Sequence, residues 1–200
     1  MRRRSVIRVG ATAVAAVVGT LALGAWRAPP PPLVVTDPHR PLPLSLMDWR
    51  LLDHEGRGVT PADWLGRPAM VFFGFTWCPD VCPTTLSDIT LWLEELGAEA
   101  DDLTVALITV DPSRDTPAVL AGYLSSFSSR IRGLTGSEEE IDRATKSFRV
   151  RVDRIEQAGG YAIDHTAGVF LFDKSGRMVS VIDFHEDHRF ALPKIRRVLI

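Results

Sequence analysis

Apolar positions along this chain fall into runs whose period identifies the elements. Ala69-Met70-Val71-Phe72-Phe73-Gly74-Phe75 is continuously apolar and short, the pattern of a strand covered on both faces. Residues 103–110 repeat that pattern. After Pro83-Thr84-Thr85, the positions Leu86, Ile89, Leu93 and Leu96 recur at helical spacing as far as Gly97, which predicts a helix. Asp115-Thr116-Pro117 joins a capping side chain to a proline in the first turn and predicts a second helix to about Phe127. Ser137-Glu138-Glu139-Glu140 has the form of a capping box opening a third helix that ends at Phe148. Strand-like pieces are predicted over residues 44–52 and around Val59, with Asp53-His54-Glu55-Gly56 as the turn between them. Another short strand is predicted over 149–155, before a Gly159-Gly160 turn. Residues 168–172 and 178–184 flank Asp173-Lys174-Ser175-Gly176 as a tight hairpin, and 189–199 is an amphipathic closing helix. The order β-α-β-α, then a hairpin and a helix, predicts an α/β domain with a mixed sheet, and no internal repeat is visible.

The N-terminus follows a different pattern. Val9 to Trp26 is an 18-residue run without a charge, which as a helix spans about 27 Å, close to a bilayer's hydrocarbon thickness. Four Arg precede it and only Arg27 follows closely, so the positive-inside rule keeps the N-terminus cytoplasmic and exports the rest. A retained anchor is the favoured reading, and a signal peptide cleaved near Ala22-Leu23-Gly24 is the alternative. Seven of the 14 prolines then fall within residues 28–43, an extended spacer. The expected organisation is an anchor over 1–27, a Pro-rich linker over 28–43 and one domain over 44–200.

Composition narrows the function. At 46% hydrophobic and 24% charged residues the chain is ordinary globular protein, not a disordered or collagen-like one. The net charge of −2 hides an asymmetry: residues 1–40 carry six Arg and one Asp, which leaves 17 basic and 24 acidic residues beyond them, a net of −7. An acidic body without a basic stripe argues against nucleic acid as a partner. Two cysteines are too few for a disulfide framework, so their meaning is local.

Both cysteines lie in Phe75-Thr76-Trp77-Cys78-Pro79-Asp80-Val81-Cys82-Pro83, where a central strand ends and a helix begins. Sites collect at that edge of an open α/β sheet, and a helix N-terminus favours negative charge, so lowered thiol pKa values and reactive sulfurs are expected. Three residues separate the cysteines, one more than in thioredoxin-like dithiol enzymes. Two thiolates in one loop can grip a soft metal ion; a structural disulfide and a purely redox dithiol fit the spacing as well.

FFGFTWCPDVCPTTL, ALITVDPSRDTP, RIRGLTG and YAIDHTAGVFLFDKSG occur in that order, and the whole of 44–200 resembles the Sco (SenC) family. These are membrane-anchored copper proteins of thioredoxin-like fold involved in assembling cytochrome c oxidase. The resemblance implies that fold here, a mixed central sheet flanked by helices with an N-terminal strand extension, preceded by one transmembrane helix. It implies Cys78, Cys82 and His165 as copper ligands, with His165 reaching the dithiol from the loop before the final hairpin. Two sulfurs and an imidazole suit Cu(I); Cu(II) needs a further ligand, for which Asp80 and Asp164 are candidates, and Asp164 could instead orient the imidazole. Trp77 departs from the commonest family pattern and is read as tuning solvent access. The implied partners are oxidase subunit II, a copper donor protein and a thiol reductant, met at the periplasmic side of the inner membrane. Asp111-Pro112-Ser113-Arg114-Asp115 is explained as a strand-end turn with a helix cap, Arg114 being a weak candidate for a partner surface. His185-Glu186-Asp187-His188 reads as a solvated turn capped by Asp187, and His39 and His54 as loop residues.

Overall fold

A computed structural model describes residues 37, 39–184 and 186–200. The expected anchor and most of the Pro-rich linker lie outside them. Among the described residues no helix is long and apolar enough to cross a membrane.

Two doubly buried runs form the centre of the fold. Strand β3 (Ala69–Gly74) and strand β4 (Thr104–Thr109) pair in parallel, and every residue of β3 is buried. Strand β5 (Ile131–Thr135) continues the parallel set beside β4. Strands β8 (Val169–Phe172) and β9 (Met178–Ile182) extend the other side antiparallel. Strands β1 (Leu51–Asp53) and β2 (Gly58–Val59) complete a seven-stranded mixed sheet of order β2-β1-β5-β4-β3-β8-β9. The helices are α1 (Val81–Leu96), α2 (Pro117–Leu124), α3 (Glu138–Phe148) and α4 (His188–Leu199). Phe148, at the end of α3, stacks edge-on with Phe73, Phe170 and Phe172 at centroid distances of 5.1, 6.0 and 5.5 Å, locking helix to sheet.

The strand extension is shorter than expected. Leu44–Leu46 is a turn of 3-10 helix instead of strand, following Pro43. From Met47 to Asp53 burial alternates residue by residue, but ladder pairing begins only at Leu51. The caps largely follow the sequence: Thr116 accepts from Val119 N–H and Asp187 from Arg189 N–H. At α3 the box closes on one side only. Ser137 accepts from Glu140 N–H, while the Glu140 carboxylate reaches across to Arg50 N–H at 2.6 Å.

The main departure is a second, two-stranded sheet. The strand expected over 149–155 is β6 (Val152–Gln157), and past the Gly159-Gly160 turn it pairs with an unforeseen β7 (Gly160–His165). His165 is therefore the last residue of a strand, opposite Val152, and not a loop residue.

Candidate metal centre

Because β3 and β4 run in parallel with Gly74 opposite Thr109, the loops leaving them emerge side by side. The first carries the cysteines. Helix α1 begins at Val81, so Cys82 is its second residue and brings an N–H with no partner inside the helix. Asp80, in the N-cap position, makes no side-chain cap; instead Cys82 N–H donates to Cys78 Sγ at 3.4 Å. The first cysteine thus caps the helix that carries the second. Pro83 has no N–H to leave unpaired there.

Cys82 is fully buried and Cys78 half-buried, both as free thiols. Gly74 makes room for the deeper sulfur: a Cβ at Gly74 would come within 3.0 Å of Cys82 Sγ. Burial, then the contact with Cys78, push the Cys82 thiol far above its ordinary value, against the lowering expected at a helix N-terminus. Desolvation outweighs the helix dipole, so the metal-free protein holds this sulfur protonated.

His165 faces that sulfur, with Nε2 3.8 Å from Cys82 Sγ. Its Nδ1 lies 2.9 Å from the Thr166 carbonyl oxygen, which can only accept, so Nδ1 carries the proton and Nε2 presents a lone pair to Cys82. Burial lowers the imidazole pKa, favouring this neutral form, although the Thr166 carbonyl and Asp164 act the other way. Phe75 walls the ring edge-on at 5.9 Å. The separation fits a shared ion: sulfur at about 2.3 Å and nitrogen at about 2.0 Å from one trigonal metal stand about 3.7 Å apart.

The auxiliary acids do not join them. Asp80 is exposed, and Asp164, next to His165 in β7, projects from the opposite face of the strand and is exposed. The Thr166 carbonyl, not Asp164, orients the imidazole. Among the described residues no three His, Cys, Asp or Glu groups are already gathered as a metal site. Cys82 and His165 face each other, while the Cys78 sulfur is engaged with the Cys82 N–H at the start of the helix. Trp77 stands outside the centre, 69% exposed. Of the remaining candidates, His188 pairs with Glu95 at 2.7 Å, Glu186 with Lys194 at 2.6 Å, and His54 Nδ1 accepts from Gly133 N–H. His185 lies outside the described residues.

The loop after β4 holds what the sequence reading missed. Asp115 is fully buried and accepts from Thr76 N–H, from Thr76 Oγ1 at 2.6 Å and from Thr109 Oγ1 at 2.6 Å, fixing the cysteine loop two residues before Cys78. Asp111, also buried, pairs with Arg114 and accepts from the Tyr161 hydroxyl at 2.7 Å. The Arg114 guanidinium lies 4.0 Å from the Tyr161 ring centroid and 5.3 Å from that of Trp77. The only sequence signal for this network was the density of short polar residues at a strand end.

The SCO1/SenC family model matches residues 39–200. The chain belongs to that family. It is 38% identical over 133 residues to an SCO2-like protein of Rickettsia felis, covering 65% of each chain. To the mitochondrial SCO1 protein of Saccharomyces cerevisiae it is 36% identical over 151 residues, covering 74% of this chain and 51% of that one. It thus spans less than two thirds of these curated relatives' lengths. Its fold is similar to ScoI of Bradyrhizobium japonicum with copper bound, at TM-score 0.70 and 40% identity over 75% of this chain and 96% of that one. Yeast Sco1 with copper bound gives TM-score 0.68 at 35% identity, covering 74% and 84%. The thioredoxin-like α/β fold expected from the resemblance is thereby shown.

Proposed function

We propose that this Sco-family protein is a copper chaperone acting in cytochrome c oxidase assembly, with Cys78, Cys82 and His165 as the ligands of its cargo. One observation carries the reading: the imidazole is held in the tautomer and direction that set its free lone pair 3.8 Å from a buried cysteine sulfur. Two thiolates and a neutral imidazole are soft donors that favour Cu(I), and Cu(II) is accommodated with a further ligand from solvent or a partner. Copper-bound relatives with the same fold support the choice of metal.

Copper binding displaces the Cys82 proton, which burial otherwise retains, and draws Cys78 off the helix N-terminus. The half-exposed Cys78 is the ligand an incoming or departing ion meets first, so transfer proceeds by ligand exchange from Cys78 inward. A Cys78–Cys82 disulfide offers no thiolate, hence loading follows reduction by a thiol reductant and supply by a copper donor protein. The recipient is the dinuclear copper site of oxidase subunit II. With residues 1–27 as an inner-membrane anchor and the domain on the periplasmic side, tethering raises the effective concentration of donor at acceptor.

Anaerobic Cu(I) titration of the reduced protein against a competing chelator tests this. One ion per chain is expected. His165→Ala should weaken binding by more than about a hundredfold, since even an outer-shell partner is worth 10–100-fold. Unchanged affinity in that variant would leave only a dithiol and would favour a thiol–disulfide oxidoreductase.

A further inference from the structure

The β6–β7 hairpin adds no rung to the seven-stranded sheet, and it is mostly exposed or half-exposed. Yet it ends on the imidazole whose distance to Cys82 defines the centre. Alternation along β7 puts Tyr161, Ile163 and His165 on one face. Of these, Ile163 packs against the core and His165 faces Cys82. Tyr161, at the far end, is held by polar contacts. Its hydroxyl donates to Asp111 Oδ1 at 2.7 Å and lies 2.9 Å from Ser113 Oγ, and its ring lies within 4.0 Å of the Arg114 and Arg154 guanidinium carbons.

We propose that Tyr161 is a positioning residue: its hydrogen bond to Asp111 latches the His165 hairpin to the frame that fixes the cysteine loop. That frame is continuous. Asp111 N–H donates to Thr109 Oγ1 at 2.9 Å, Thr109 donates to Asp115, and Asp115 holds Thr76. Both sides of the centre therefore refer to one buried carboxylate pair, Asp111 and Asp115. Without the phenol hydroxyl the hairpin keeps its ladder and its Ile163 contact but loses its fixed azimuth, and the imidazole samples positions farther from Cys82. The role in copper binding rests on His165 being a ligand; the latch itself is a property of the metal-free protein.

Tyr161→Phe removes one hydroxyl and keeps the ring, so the protein should still fold, with a modest drop in its unfolding midpoint. In the metal-free protein, faster amide exchange in β6 and β7 and averaged His165 ring nitrogen shifts are expected by NMR. Cu(I) affinity should fall about tenfold, the scale of one hydrogen bond to a charged acceptor. In a His165→Ala background the same change should cost nothing further, because the latch acts through the imidazole. Wild-type exchange and ring shifts in Tyr161→Phe would overturn the latch, and so would an additive loss in the double variant. If Tyr161→Phe fails to fold, Ser113→Ala, which removes the hydroxyl that touches both the Tyr161 hydroxyl and Asp111 Oδ1, takes the same measurements and should move them the same way. Failure of the wild type to bind Cu(I), or intact binding in His165→Ala alone, would instead sink the chaperone reading and leave the metal-free arm to judge the latch.

Discussion

Cys82 and His165 face each other, yet they are held by opposite means. Cys82 sits fully buried in the first turn of a 16-residue helix, over a glycine of the central strand. His165 ends a two-stranded hairpin outside the main sheet, placed by a phenol hydroxyl, one carbonyl and a few apolar contacts. Burial fixes the first side and a polar network fixes the second. Under the function proposed above, that pairing suits holding and releasing an ion: Cys82 is the fixed ligand, His165 the adjustable one, and the half-buried Cys78 the one at the rim.

The largest effect should come from attacking the packed side. Phe148 is fully buried, 5.1 Å from Phe73 and 6.4 Å from Trp49 between ring centroids. Phe148→Ala should cost about 3–5 kcal/mol in urea unfolding, the range for a large aromatic removed from a core. Ile155→Ala, on β6 and 49% exposed, should stay within about 0.5 kcal/mol. Comparable losses at both positions would show that the hairpin is a structural part of the core and erase the contrast.

A smaller effect separates the sides by pH. Burial lowers the His165 pKa below its ordinary value of 6.5, so the unfolded chain takes up that proton first as pH falls. Reduced, metal-free protein should lose stability below about pH 6.5. Burial raises Cys82 above its ordinary 9.0, so the unfolded chain releases that proton first as pH rises, and stability should decline above about pH 9. Thermal unfolding across pH 5–10 should show a plateau between the two. His165→Asn should remove most of the acid shoulder alone, and Cys82→Ser the alkaline one alone. A variant that changed the other shoulder would show that the two groups are not independently set.

The sequence made the packed side legible because its signals are local: a doubly buried apolar run, a helical period and caps at Thr116 and Asp187. Cys78 and Cys82 announced themselves by spacing. The hairpin side was harder to read. Tyr161-Ala162-Ile163-Asp164-His165 is half-buried except for the exposed Asp164, and its polarity barely alternates, so β7 is not read from the pattern, although Gly159-Gly160 between two strand-like runs is a usable hairpin signal. The polar frame was less legible still. Nothing local says that Asp111 meets Tyr161, 50 residues on, or that Asp115 meets Thr76, 39 residues back. Such contacts exist only once the parallel strands set their loops side by side. The helix-dipole expectation for Cys82 failed for a related reason, since depth of burial is a property of the assembled core and not of the motif.

The smallest predicted effect lies at the junction between the two sides. Arg149 closes α3 in the left-handed region at φ 57°, ψ 32°, and the chain passes through Val150 and Arg151 into β6. A non-glycine residue there carries a conformational cost that glycine does not. Arg149 recovers little through its side chain, whose nearest hydrogen bond is a long 3.5 Å contact to Lys146 O. Arg149→Gly should therefore stabilise the fold by up to about 1 kcal/mol in urea unfolding, less whatever flexibility glycine adds to the unfolded chain. If the junction is only a helix cap, amide exchange in β6 and β7 should be unchanged while the unfolding midpoint rises. If Arg149 also stiffens the lead into the hairpin, exchange there should quicken even as the core gains stability. Opposite movements of the two readouts would place the mechanical boundary between the fixed and adjustable sides at this residue. A loss of global stability would show that the left-handed arginine is held by interactions stronger than its backbone cost.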